Sequence, residues 1–223
     1  GAVLRRSNLQ RADWGLLRSA RNDINAFWVI TRPTHHRGFT LSQLITKPTI
    51  AYFISPHGFG HAARAAAVMN ALHHQQQNIQ FEIFTRVPRW FFQDSVTARF
   101  TYHSLLTDIG LAQATSLHED IPQTLRRLGD FLPFADALVA RLARQVKRLK
   151  CELVVCDIAP LGIAVARAAH LPALLVENFT WDWIYAGYAN RRFARHIAYL
   201  RDVFRSADYH IQTAPVCEPW RAD

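Results

Sequence analysis

Two histidines lie in a short turn between a predicted strand and a predicted helix, and they are the first residues in the chain that could do chemistry. The turn reads Pro-His-Gly-Phe-Gly-His, with His57 and His61 at its two ends. A neutral imidazole can remove a proton from a hydroxyl group, and it does so best when a carboxylate fixes its tautomer. The turn therefore predicts acid–base chemistry on a hydroxyl-bearing substrate.

Asp157 is the carboxylate that could serve as the partner of one of these histidines. It follows an apolar run, Leu-Val-Val-Cys, that is typical of a buried strand. A third polar segment, residues 177–182, follows another apolar run. If the strands are parallel, all three segments lie at one edge of the sheet, where a His–Asp pair can form. The alternative is that Asp157 only caps the next helix, since Asp is a preferred cap residue.

Alternating strands and helices must position these residues. The run 49–55 predicts a buried strand, and the alanine-rich run 62–72 predicts the helix after the turn. A single long helix is predicted over 181–206, and a long loop, of the kind often found beside a site, over 107–119. The remaining predicted strands are residues 79–85, 99–105, 153–157, 173–176 and 209–213. This order predicts an α/β fold with a Rossmann-like, mostly parallel sheet and helices on both faces.

Charge, hydropathy and cysteine usage narrow the class of protein. The net charge is +9, but residues 1–47 hold eight basic and two acidic side chains and so carry +6 of it. The rest of the chain carries only about +3, so we predict no nucleic-acid partner for it. No apolar run approaches the roughly 20 residues of a membrane-spanning helix. The three cysteines form no CxxC pair, which predicts a reducing compartment and a cytoplasmic location: they are Cys151, Cys156 and Cys217.

Residues 1–47 are interpreted as a basic extension that is partly disordered or helical, and they are assigned no chemistry. A helix there would have an apolar face with arginines opposite, formed by Trp14, Leu17, Ala20, Ile24, Phe27 and Trp28. The Arg-rich, acid-poor composition also resembles an organelle transit peptide.

The turn admits two other interpretations. Residues 58–63 fit GxGxxA, a looser form of the dinucleotide-binding fingerprint, although Phe59 and His61 are bulky where a pyrophosphate would approach. The next strand ends at Thr85 and Arg86 rather than at an acid that would bind a ribose. A metal site at the two histidines lacks a third ligand nearby, so we expect no metal and no bound cofactor.

Three segments of the chain resemble one family. Residues 50–64, Ile-Ala-Tyr-Phe-Ile-Ser-Pro-His-Gly-Phe-Gly-His-Ala-Ala-Arg, look like the start of GT-B-fold glycosyltransferases. They are especially similar to the glycosyltransferase-like N-terminal region of plant arabinokinases and related bacterial proteins, whose turn reads roughly GHGFGHATR. Residues 153–160 and 177–185 resemble that group's LVVSDVVP and TNFSWDFIY segments. The resemblance covers residues 49–219.

The resemblance implies a pair of catalytic residues and an acceptor pocket. In inverting members the histidine that closes the first turn is the general base and an aspartate at a later strand end orients it, which implies His61 and Asp157. The implied acceptor-binding residues are His57, Gly58, Phe59, Gly60, Asn178, Trp181 and Asp182. Aromatic faces suit stacking on sugar rings, although a tryptophan is more often a core residue.

The resemblance also implies how the chain is divided and what it binds. Residues 48–219 correspond to the acceptor-binding half of a two-domain enzyme, and residues 220–223 to the start of the interdomain linker. We expect the donor-binding half to be absent, so that a nucleotide-sugar donor needs a donor domain in trans, with a homodimer as another possible assembly. The alternatives are a non-catalytic carbohydrate- or partner-binding module and a dinucleotide-binding domain.

Overall fold

A seven-stranded sheet forms the centre of the protein. The computed structural model describes residues 28–31 and 47–217. In chain order the strands of this sheet are β1 (Trp28–Thr31), β2 (Thr49–Ile54), β3 (Gln80–Thr85), β4 (Arg99–Ser104), β7 (Cys151–Asp157), β8 (Ala173–Glu177) and β9 (Tyr209–Thr213). Their spatial order is β1-β9-β8-β7-β2-β3-β4, in which β1 is antiparallel to β9 and the other six strands are parallel.

Helices follow the strands and cover both faces of the sheet. They are α1 (Phe59–Gln75), α2 (Arg89–Ser95), α3 (Ile121–Phe131), α4 (Asp136–Arg148), α5 (Pro160–Ala169), α6 (Trp181–Gly187) and α7 (Ala194–Arg205), with a 3-10 turn at Arg191–Phe193. The predicted α/β fold with a mostly parallel, Rossmann-like sheet is confirmed.

The side chains of β2 alternate between two buried cores. Ile50, Tyr52 and Ile54 pack on the face covered by α1 and α2. Ala51 and Phe53 pack on the opposite face, which α3 to α7 cover. Successive strand residues point to opposite faces, so a run that is apolar throughout is buried on both sides. Each large apolar side chain buried in this way contributes about 1.5–3 kcal/mol.

Helix α1 begins earlier than the alanine-rich run suggested. Gly58 precedes it with a φ of 86°, a backbone conformation that glycine adopts at no steric cost, and Phe59 is the first helical residue. His61 therefore lies in the first turn of α1 rather than in the loop before it. This fixes the direction of its side chain relative to the sheet.

The single long helix predicted over residues 181–206 is wrong. Helix α6 ends at Gly187, and Ala189 then adopts a φ of 49°, which a helix cannot contain. The side chain of Asn190 accepts a hydrogen bond from the backbone N–H of Arg192 and so caps the short 3-10 turn. The break redirects the chain before α7 begins.

Two further predictions needed correction. The loop predicted over residues 107–119 contains a small hairpin of β5 (Gln113–Thr115) and β6 (His118–Glu119). Most of the predicted helix in residues 1–47 lies outside the described residues, as does the segment 220–223. The helix prediction is wrong at Trp28, however, because this residue begins strand β1.

Replacing Gly162 by Ala is expected to destabilise the protein by about 1–3 kcal/mol. Gly162 lies in α5, and a Cβ there would come within 2.6 Å of the Cys156 sulfur and 2.7 Å of the Phe53 ring. Gly187→Ala is the matched control, because a Cβ at Gly187 would meet nothing within 4 Å. Urea unfolding of both variants measures the difference, and equal unfolding midpoints would contradict this account of how α5 packs.

Candidate active site

The carboxyl edge of the sheet gathers the polar residues at the ends of four strands. Ile54 at the end of β2 pairs with Asp157 at the end of β7, and Glu177 at the end of β8 pairs with Gln212 near the end of β9. The backbone N–H of Ser55 also donates to the carbonyl of Asp157 at 3.1 Å. The ends of β2 and β7 are therefore in register where the α1 turn begins.

His61 and Asp157 are brought into direct contact. Nδ1 of His61 lies 2.9 Å from Oδ1 of Asp157. The carboxylate can only accept, so Nδ1 carries the proton and Nε2 keeps its lone pair. The Asp157 side chain is fully buried, whereas that of His61 is 11% exposed. This is the geometry of a base oriented by a carboxylate.

The capping alternative for Asp157 is wrong. Helix α5 begins at Pro160 after Ala159, and no side chain caps it. Asp157 is instead engaged by two residues of α1.

Arg64 is the second of these residues, and the sequence interpretation missed its role. Its Nε donates to Oδ2 of Asp157 at 2.7 Å and its Nη2 donates to Oδ1 at 2.5 Å. Burial alone would lower the pKa of the guanidinium, but the hydrogen bonds and the charge of Asp157 outweigh it and raise that pKa. Nη2 also lies 3.3 Å from Nδ1 of His61. Both nitrogens donate to Oδ1 of Asp157. The short distance between them therefore reflects a shared acceptor and is not a hydrogen bond between the two side chains.

Arg64 also reaches two neighbouring strand ends. Its Nη1 donates to Oδ1 of Asn178 at 3.1 Å and to the hydroxyl of Thr213 at 2.9 Å. One guanidinium therefore joins α1 to the ends of β7, β8 and β9. The only signal in the sequence was its spacing, because Arg64 follows His61 by three residues and so lies on the same face of a helix.

Replacing Arg64 by Met is expected to lower the free energy of unfolding by roughly 3–5 kcal/mol, because it leaves the buried Asp157 carboxylate without its cation. Adding Asp157→Asn to this variant is expected to recover much of the loss. Arg167→Met, at an exposed position on α5, serves as the control and should change stability by less than about 0.5 kcal/mol. Urea unfolding of the parent protein, Arg64→Met, Asp157→Asn, the double variant and the control measures the coupling, and additive losses from the two single substitutions would refute it.

His57, at the other end of the turn, packs against Trp181 and Gly110. Its ring meets Trp181 edge-on, with the ring centroids 5.2 Å apart. Gly110, with a φ of 61°, lies so close that a Cβ there would be 2.6 Å from Nδ1 of His57. Burial first, and the neighbouring His61 second, lower the pKa of His57. His57 is therefore held as a neutral imidazole beside His61.

The remaining predicted acceptor residues fall into two groups. Phe59 is half exposed and packs on Trp90 and Phe91 of α2, while Gly58 and Gly60 have open space around them. The side chains of the other three make contacts within the protein itself. Asn178 binds Arg64, Trp181 is buried against Tyr185, and Asp182 lies 3.4 Å from the guanidinium of Arg201.

Asp108, in the loop after β4, is another buried carboxyl near the site, and the sequence interpretation did not single it out. Its pKa is raised to about 7, chiefly by burial and to a smaller extent by the charge of Asp157, although the Ser55 hydroxyl and the Trp181 indole N–H act in the opposite direction. Neither group closes a hydrogen bond of normal geometry with it. The loop prediction at 107–119 was the only indication that residues here belong to the site.

Asp108 makes the stability of the protein depend on pH. Because its pKa rises from 3.8 to about 7 on folding, the folded state keeps a proton that the unfolded state releases between these values. Its contribution to stability therefore falls as pH increases from about 4 to about 7, by on the order of 4 kcal/mol. Asp108→Asn should remove this fall, and Asp130→Asn, at an exposed position, should not. Urea unfolding across this pH range measures both, and a constant difference between Asp108→Asn and the parent protein would refute the assignment.

Comparison with known proteins identifies the family to which the chain belongs. The model of glycosyl transferase family 1 matches residues 48–203. L-arabinokinase from Arabidopsis thaliana is 30% identical over 141 residues, which cover 62% of this chain and 13% of that protein.

Solved structures of glycosyltransferases also align with the chain. MurG from Acinetobacter baumannii gives a TM-score of 0.40 at 18% identity, over 72% of this chain and 40% of that chain. UGT71G1 from Medicago truncatula, complexed with UDP-glucose, gives 0.38 at 18% identity, over 58% and 29% of the two chains.

The family match spans most of the sheet and includes both His61 and Asp157. The chain belongs to glycosyl transferase family 1, and the predicted resemblance to glycosyltransferases is confirmed. It spans less than half the length of the relatives named above.

The described residues contain neither a cluster of metal ligands nor a helix that could span a membrane. Within residues 28–31 and 47–217, no three His, Cys, Asp or Glu side chains are grouped as a metal site would require. No helix in the same part of the chain combines the length and apolar character needed to cross a membrane.

Proposed function

We propose that this chain is the acceptor-binding half of an inverting glycosyltransferase and that His61 is its general base. The observation that carries the proposal is the 2.9 Å contact between Nδ1 of His61 and Oδ1 of Asp157 at the carboxyl edge of the sheet. Family membership supplies the class of reaction, and the His–Asp contact supplies a group able to activate a hydroxyl.

The proposed reaction transfers a sugar from a nucleotide sugar to an acceptor hydroxyl. Nε2 of His61 takes the hydroxyl proton while the acceptor oxygen forms a bond to the anomeric carbon. The bond from that carbon to the phosphate oxygen breaks on the opposite side, and the nucleoside diphosphate leaves with the electron pair. Asp157 stabilises the imidazolium that results. No metal or bound cofactor is required of this half, and the donor would be held mainly by a donor-binding domain.

Arg64 has a positioning role in this proposal. Its two hydrogen bonds hold the Asp157 carboxylate in one orientation, so that Oδ1 faces His61. Its bonds to Asn178 and Thr213 fix the guanidinium in turn. A base held in this way needs little reorganisation when the acceptor arrives, which is the main source of rate in preorganised sites.

The acceptor is proposed to lie over the turn, beside Nε2 of His61. His57 and Phe179 flank this position, since the Phe179 ring meets His61 edge-on with centroids 5.8 Å apart. Gly58 and Gly60 leave the approach open, and the exposed ring of Phe59 borders it. Asn178 and Asp182 are more deeply engaged with arginines, so we assign them to the support of the site rather than to direct contact with the acceptor.

A cytoplasmic location is part of the proposal. All three cysteines are free thiols, and two of them, Cys151 and Cys156, are buried. Burial raises the pKa of both thiols, so they act as small core residues.

His61→Ala is the direct test, made in a protein that carries this chain together with a donor-binding half. Loss of the base should reduce kcat by about 10²- to 10⁴-fold with a small change in acceptor KM. Release of nucleoside diphosphate from a UDP-sugar measures the turnover. His74→Ala is the matched control, because His74 is exposed near the end of the same helix.

Two outcomes would overturn the proposal. Turnover of His61→Ala close to that of the parent protein would exclude His61 as the base. Saturable binding of carbohydrate without turnover of any donor would favour the non-catalytic binding module instead.

A further inference from the structure

Three aromatic side chains at the starts of α1 and α2 form a cluster on the surface. The Phe59 ring stacks on the Phe91 ring with centroids 5.3 Å apart, and the Trp90 ring lies 5.9 Å from Phe59 and 6.0 Å from Phe91. Phe59 is 50% exposed and Trp90 is 54% exposed, whereas Phe91 is half-buried against the buried Phe92. Phe59, Trp90 and Phe91 thus form an aromatic platform, in which two rings face solvent and the third connects them to the core.

The aromatic platform lies at the same edge of the sheet as the proposed base. Helix α1 follows β2 and helix α2 follows β3, and these two strands are parallel neighbours. The starts of both helices therefore lie at the carboxyl edge, where ligands of such sheets bind. Contiguous exposed apolar side chains at this edge indicate a binding surface.

Gly60 connects the platform to His61. Phe59 and His61 are two residues apart in the first turn of α1, so their Cα atoms are about 5.5 Å apart and their side chains leave the helix in different directions. Gly60 lies between them, is exposed, and has open space where a Cβ would be. A ligand that lies across Gly60 therefore has the platform on one side and His61 on the other.

The size of the platform fits one ring of a ligand better than a protein partner. Large aromatic side chains each bury about 150–250 Å² when fully covered, so two half-exposed rings offer roughly 200 Å². A stable protein interface buries about 800 Å² on each partner. The platform therefore needs no second protein to cover it.

The open position of the platform favours a sugar ring as the occupant. The C–H groups on one face of a pyranose carry a small positive charge, which the negative face of an aromatic ring attracts. The hydroxyl groups at the edge of the pyranose remain in water, or reach the exposed guanidinium groups of Arg86 and Arg89, which are close to Trp90 in the chain. An aromatic ligand would leave its second apolar face in water, and such ligands favour enclosed pockets.

We propose that Phe59 and Trp90 stack on a pyranose ring of the acceptor, while a hydroxyl group of the same acceptor reacts at His61. This inference rests on the proposed function, because the occupant is the acceptor. It makes the acceptor a carbohydrate, and it makes Trp90, in a helix that carries none of the proposed catalytic residues, a specificity-determining residue.

Binding is tested by NMR on the ¹⁵N-labelled chain, in which Trp90→Phe identifies the indole signal of Trp90 by removing it. The probes are the methyl pyranosides of galactose, glucose and arabinose, each at up to about 100 mM. Galactitol, glucitol and arabitol are the matched controls, because they carry hydroxyl groups on an open chain that has no flat ring. We expect at least one pyranoside to shift the Trp90 signal and to bind about 10-fold more tightly than its alditol.

Substitutions of Trp90 separate stacking on an aromatic face from a structural role, with binding followed at the backbone amide signal of Gly60. Trp90→Leu keeps an apolar side chain without an aromatic face and should weaken binding of that pyranoside about 10-fold, whereas Trp90→Phe should lose less than about 3-fold. Leu117→Ala, in the turn between β5 and β6 at a position 87% exposed, should bind normally. Equal urea unfolding midpoints for all these variants would exclude loss of folding as the cause.

Four outcomes overturn the platform as a sugar-binding surface. One is a Trp90 signal that none of the three pyranosides moves. Another is a set of alditols that bind as tightly as the pyranosides. The third is normal binding by Trp90→Leu, which means that no aromatic face is needed. The fourth is a Trp90 signal that shifts with protein concentration and not with sugar, which means a contact between copies of the chain.

Turnover in a protein with a donor-binding half separates this inference from the proposed function. Trp90→Leu should raise the KM for a pyranoside acceptor about 10-fold and leave kcat within about 3-fold, whereas His61→Ala lowers kcat. If only the His61 effect is absent, the platform stands and the base assignment fails. If only the Trp90 effect is absent, the platform fails and the base assignment stands.

Discussion

The buried carboxylate of Asp157 is the constraint on which the arrangement of the site depends. A fully desolvated carboxylate is tolerated only when cations and donors surround it. Arg64 supplies the charge and two hydrogen bonds, and His61 supplies a third. Both residues come from the first turns of α1, so this helix must stand in one position over β7. The need to compensate the buried charge of Asp157 thereby sets the position of His61, the proposed base.

The parallel sheet allows Arg64 and His61 to reach the buried carboxylate of Asp157. Six parallel strands end at the same edge, and the register of β7, β8 and β9 brings the residues at their ends within reach of one arginine. Helix α1 leaves this edge directly after Gly58, with its histidine and arginine three residues apart on one face. The fold thus supplies the positions, and the polar residues at the strand ends supply the chemistry.

The sequence correctly predicted those elements whose signals lie within a short stretch of the chain. Apolar runs identified the parallel strands, and the position of polar residues after those runs identified the edge where His61 and Asp157 meet. The remaining features depend on distant parts of the chain. From the sequence alone Arg64 looks like an exposed helix residue, because its partner Asp157 lies 93 residues away in the chain. Asp108 belongs to a residue type that is rarely buried, β1 exists through its pairing with β9, and the break after α6 requires a strained Ala189.

The contact between Gly110 and His57 limits how the segment after β4 can move relative to the turn before α1. A Cβ on Gly110 would lie 2.6 Å from Nδ1 of His57, so the segment after β4 packs closely against the turn before α1. The Tyr185 hydroxyl also bonds the Gly110 carbonyl at 2.8 Å, which anchors the segment to α6. Because it is held at both contacts, we expect this segment to move together with the turn and α6 rather than as a separate lid. Under the proposed function, selection among acceptors would then come from a preformed shape, and motion needed for release would arise outside this contact.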